Sequence, residues 1–149
     1  MTMMKKLGEQ PPPQQDLPLV RICWDELFAF LRSLFRPKRI RPKTILENLA
    51  AETTTSFKTV FLWEVPEGFE GGLEEISMYS SRPATTRWLL LISEQEQFND
   101  KTIHTTLTLP YGDVTIHTGQ KVILRARTTD GVATDIDGSL TGEERYLEV

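Results

Sequence analysis

The sequence predicts a mainly-β protein: an antiparallel β-sandwich of about eight strands, preceded by an amphipathic helix and an extended arm. Three observations lead there. From Thr53 onward, apolar and β-branched residues recur with a period of two in short segments. The breaks between segments carry turn chemistry: Pro66-Glu67-Gly68, Thr118-Gly119-Gln120 and Asp130-Gly131. A period of three to four is confined to the first third of the chain, so no helices alternate with the strands.

The leader comes first. Residues 1–17 are rich in proline and glutamine and have no periodicity, which predicts extended, polyproline-like chain. Lys5 and Lys6 lead into Pro11-Pro12-Pro13 rather than an apolar segment, so no signal peptide is expected. Leu19 to Phe35 is the helix: Trp24, Leu27, Phe28, Leu31, Leu34 and Phe35 share its apolar side with Val20 and Cys23. Arg21, Asp25, Glu26 and Arg32 fall mostly opposite. A face so wide and aromatic must be covered, by its own domain, a sister copy, a partner protein or a lipid surface.

Arg36, Lys38, Arg39, Arg41 and Lys43 then form a basic run interrupted by Pro37 and Pro42, which reads as a stiff linker. Together with the helix face it forms the expected partner-binding segment. Phosphate contact would need little more than these cations, but no aromatic is interleaved for stacking, and an acidic protein surface suits them better. Thr44-Ile45-Leu46-Glu47 has the spacing of a capping box, predicting a short helix to about Ala51. The sandwich is therefore expected over 52–149 and the arm over 1–51.

Within the sandwich, Thr54 to Val65 reads as a strand, and Leu73 to Ser80 as another. Arg87 to Ile92 is nearly continuous in apolar residues, predicting a central strand covered on both sides. Glu94 to Lys101 is polar around Phe98 and reads as a loop or edge strand. Ile103 to Leu109, Val114 to Ile116, Val122 to Arg127 and Val132 to Leu140 alternate, with Pro110 to Asp113 breaking the first pair. Arg145 to Val149 is expected as a last edge strand.

Charge is unevenly divided. Residues 1–50 hold nine Lys/Arg against five Asp/Glu, a surplus of four positive charges, and residues 51–149 hold eight against sixteen, a surplus of eight negative ones. A basic leader on an acidic body suggests two surfaces with different partners, including arm-to-body contact between copies.

Catalytic chemistry is hard to assemble. His104 and His117 are expected on adjacent strands without a third ligand nearby, and Cys23 lies on the apolar helix face, where it acts as a small hydrophobe. Asp135, Asp137 and Glu144 have part of a calcium-loop spacing around Gly138, but Ala133 fills the first ligand position and the flanks are not helical. Strand residues facing water account for the same letters. Trp63, Trp88, Tyr79 and Tyr111 could stack on sugars, although both tryptophans lie in apolar strands; Tyr111, in a turn, is the one expected to be exposed. Neither metal nor cofactor is predicted.

Four stretches, Val65 to Ser81, Thr85 to Ile92, Leu107 to Gly131 and Asp137 to Glu144, give a strand-and-turn pattern that resembles the small jelly-roll-like modules of tailed-phage and archaeal-virus structural proteins. That resemblance implies a non-enzymatic virion protein, assembled in the host cytoplasm. It would be a decoration, head-fibre or neck component that forms trimers or other rings and contacts capsid or neighbouring subunits. Residues 19–43 depart from the pattern and are where attachment is expected. The alternative is a carbohydrate-binding module tethered by its helical arm; nucleic-acid and membrane partners are not expected.

Overall fold

The computed structural model describes residues 16–35 and 39–148. The chain forms two compact units, Met1–Pro37 and Lys38–Val149. Helix α1 (Asp16–Phe35) is the described part of the first. It begins three residues ahead of the expected start, at an Asp followed by Pro18, residues suited to a helix N-terminus.

The second unit contains eight strands: β1 (Ile40–Glu52), β2 (Lys58–Glu64), β3 (Phe69–Ser80), β4 (Thr86–Ile92), β5 (Gln95–Lys101), β6 (Leu107–Ile116), β7 (Lys121–Thr128) and β8 (Thr134–Tyr146). They make two four-stranded antiparallel sheets with orders β1-β8-β3-β6 and β2-β7-β4-β5. Successive strands alternate between the sheets except at the β4–β5 hairpin. That arrangement is the double Greek key of a jelly roll, an architecture found in viral capsid and lectin domains. The expected mainly-β, jelly-roll-like sandwich is what the chain forms.

Alternation builds the core. On β7, Val122, Leu124 and Ala126 are fully buried, and the residues between them face outward. Trp63 and Trp88, each 1% exposed, fill the space between the sheets with Leu73, Ile76 and Leu140. Gly138 packs closely on the facing sheet: a Cβ there would stand 2.7 Å from Val60 and 3.0 Å from Leu124.

Several expected boundaries are corrected. The capping-box segment from Thr44 is strand, not helix: Ile45 pairs with Leu140 and Leu49 with Ile136, so long-range pairing overrides the local signal. The same strand takes in residues 40–43, so the second half of the basic linker belongs to a sheet, and the sandwich extends back past residue 52. Pro42 is tolerated because β1 is an edge strand. Pro110 to Asp113 does not separate two strands. β6 runs through it with a bulge opposite Leu73–Glu75, where Gly112 (φ 72°) and Asp113 (φ 141°) take left-handed backbone. The final edge strand expected at 145–149 is instead the end of β8, a central strand reaching Tyr146.

β4 is central, as expected, but Leu89 and Leu91 on its outer side are only half-buried rather than covered. β5 is the edge strand that Glu94 to Lys101 left open.

Candidate docking surfaces

On α1, Trp24, Leu27, Phe28 and Leu34 are between 43% and 60% exposed, and Leu31 is half-buried. Trp24 and Phe28, one turn apart, stack their rings at 5.8 Å. The apolar stripe expected from the periodicity thus stands open along the described part of the helix. The side chain of Phe35, and Arg36 and Lys38, lie outside the described residues.

The remaining cations of the basic run are placed by β1. Arg39 lies over the Tyr146 ring at 6.0 Å. Arg41 lies 4.0 Å from the Phe69 ring centroid and donates its Nε–H to Glu144, a residue buried among apolar side chains. Lys43 stands opposite Gly142 and is half-buried. The run is therefore not a uniform solvated linker, because the sheet sets the half-exposed Arg41 in an ion pair with the buried Glu144. No local feature of the sequence marks Glu144 as its partner; the two are 103 residues apart.

Glu144 is held from two sides, by Arg41 and by the Trp63 indole N–H at 2.9 Å. Burial alone would raise its carboxyl, but these hydrogen bonds outweigh it and the net shift is downward. Glu52 ends β1 and accepts from the Thr54 backbone N–H, the Thr54 hydroxyl and Lys58 Nζ; the Lys58 and Thr54 bonds lower its pKa to about 2. Both acids tie strand to strand.

The other sequence candidates separate. His104 sits in the loop before β6 and His117 just beyond the same strand's end, so adjacent strands do not present them. Asp135 and Asp137 face outward from β8 while Glu144 faces inward, and Asp137 accepts from the Asn48 amide. They form a strand, not a calcium loop. Among the described residues no cluster of three metal-ligating side chains occurs. Tyr111, expected to be exposed, is half-buried against the core, and burial raises its phenol pKa. Tyr79, at 43%, is the exposed one of the four aromatics proposed for sugar stacking.

Two outer faces remain. That of β1-β8-β3-β6 bears an open groove of about 360 Å3 lined by Leu46, Asn48, Ser77, Tyr79, Asp137 and Ser139. The same sheet also carries Glu70, Glu75, Asp113, Asp135 and Glu143, with Arg145 held by Glu143, Asp113 and Glu70. The outer face of β2-β7-β4-β5 bears a row of Leu62, Ile123 and Leu91, matched in register across three strands. Beside it are Arg87, Arg125 and Arg127. Sequence reasoning missed both faces, because they are assembled by pairing distant strands.

No protein-family model matches the chain, and no curated protein does. Among solved structures it is similar to a chain in the acidic stable capsid structure of Helicobacter pylori bacteriophage KHP30, with 15% identity, a TM-score of 0.39, and coverage of 74% of this chain and 99% of that one. At that TM-score the likeness carries no weight for fold or function.

Proposed function

We propose that the protein is a non-enzymatic structural component of a virion, at a surface, vertex or neck position. The open apolar stripe of α1 anchors it to capsid or neighbouring subunits, and the jelly roll is displayed. The observation that carries this reading is the pairing of two unlike units in one chain. One is a sandwich with a filled core; the other is a helix whose Trp24, Leu27, Phe28 and Leu34 remain in water. Apolar area of that kind contributes about 25 cal/mol per Å2 when covered, enough to drive docking. Arg39 and Lys43, with Arg36 and Lys38, add attraction for acidic surfaces that weakens with salt. Self-association into a trimer or other ring would multiply the anchor, since each further copy binds at high effective concentration.

The double variant Leu27→Asp/Leu31→Asp tests the anchor. It should leave the unfolding midpoint of the sandwich unchanged and reduce incorporation into assembled particles at least tenfold. Normal incorporation would rule the anchor out.

A second reading, a glycan-binding module, is favoured by the groove that sets Tyr79 beside Asn48, Ser77 and Ser139. Tyr79→Ala should then abolish retention on immobilised glycans.

A further inference from the structure

We infer that copies of this chain dock face to face but unlike to unlike, the arginine-bearing outer sheet of one on the acidic outer sheet of the next. The arginine face is built on β7 and β4. Arg87 stands directly opposite Arg127, and Arg125 opposite Leu89, which places three arginines at neighbouring positions of the outer face. Like charges directly opposite on a sheet are destabilising and need a counter-charge. Arg127 has its own, in Asp100 at 2.7 Å, and also lies over the Phe57 ring. Among the described residues neither Arg87 nor Arg125 has a carboxylate partner. The Arg125 Nε–H is shielded from water with no acceptor, a costly state for a charged donor. Next to this cluster runs the Leu62, Ile123, Leu91 row, with Leu62 48% exposed.

The opposite sheet has the complement. Its outer face offers Glu75, which stands across from Pro110 and has no cation partner among the described residues, and Asp137, whose bonded neighbour is the neutral Asn48 amide. Leu46, 76% exposed, and Tyr79 supply apolar surface in the groove beside Asp137. Carboxylates lacking cations, guanidinium groups lacking anions, and an apolar centre on each face argue for a second copy as the occupant. Because the two patches differ, the contact is heterologous and leaves one face free at each end until a ring closes. The inference deepens the self-association in the proposed function and fails separately from it.

The test uses two full-length variants. In one, Arg87→Glu and Arg125→Glu remove the arginine face; in the other, Glu75→Lys and Asp137→Lys remove the acid face. Should Arg125→Glu disturb folding, Leu62→Asp replaces it. Association is measured by sedimentation at low salt for each variant alone and for the equimolar mixture. Each alone should self-associate at least tenfold more weakly than the native chain, while the mixture restores near-native association, with the two variants alternating in equal amounts, that weakens as salt rises. A mixture binding no more tightly than either variant alone would overturn the inference. Equal binding in all three cases, as α1-driven association would give, also overturns it while leaving the anchor intact.

Discussion

Single side chains at the ends of strands hold this sandwich closed. Glu52 is an example: the hydrogen bonds from Lys58 and Thr54 depress its pKa from 4.5 to about 2. A folded-state pKa below the unfolded one contributes stability above the unfolded value, and that contribution is lost as pH falls through the folded value. Lys58 is half-exposed, so screening limits the effect to roughly 1 kcal/mol. Glu52→Gln should therefore be less stable than the native chain by about that amount near pH 6, the gap closing between pH 4.5 and 2. Denaturant titrations across that range check it, and a gap independent of pH would refute it. Glu144 is lowered in the same direction, so its ion pair with Arg41 also weakens on the acid side. Neither role was legible in the sequence. Glu144 suggested the last ligand of a calcium loop because the spacing of Asp135 and Asp137 is local, whereas its true partners, Trp63 and Arg41, are 81 and 103 residues away.

At the scale of elements, period-two segments were easy to read and their joints were not. β7 carries strong alternation and β4 a nearly continuous apolar run, and both stand where those patterns predicted a strand. β1 was mistaken for linker and helix, because Thr44 to Glu47 satisfies a local helix-start rule and only pairing with β8 reveals a strand. The β4–β5 turn lacks an Asn-Gly signal; Ser93 and Glu94 take positive φ of 51° and 66° instead, the mirror-image turn that suits strand twist. The placement of β1 decides where the arm can be cut. A chain starting at residue 38 retains all of β1, whereas one starting at residue 44 loses Arg41 and leaves Glu144 without its counter-charge. The shorter fragment should be less stable by about 1–2 kcal/mol, since Glu144 loses its half-exposed counter-charge while keeping the Trp63 N–H. Thermal unfolding of the two compares them directly, and equal midpoints would contradict the placement.

On the scale of the whole chain, the mainly-β class could be read from where one hydrophobic period gives way to another. The strand order could not: β1-β8-β3-β6 and β2-β7-β4-β5 depend on contacts between the two ends of the body, which periodicity does not record. The resulting molecule has its tryptophans in opposite environments, Trp63 and Trp88 at 1% exposure and Trp24 at 51%. Acrylamide quenching of the free chain and of the chain within its assembled particle follows the helix face itself. One quenchable tryptophan is expected in the free chain, lost in the Trp24→Phe variant, and none after assembly, with Trp63 and Trp88 silent throughout. Undiminished quenching of Trp24 in the particle would show that the helix face is not what attaches this protein to its neighbours.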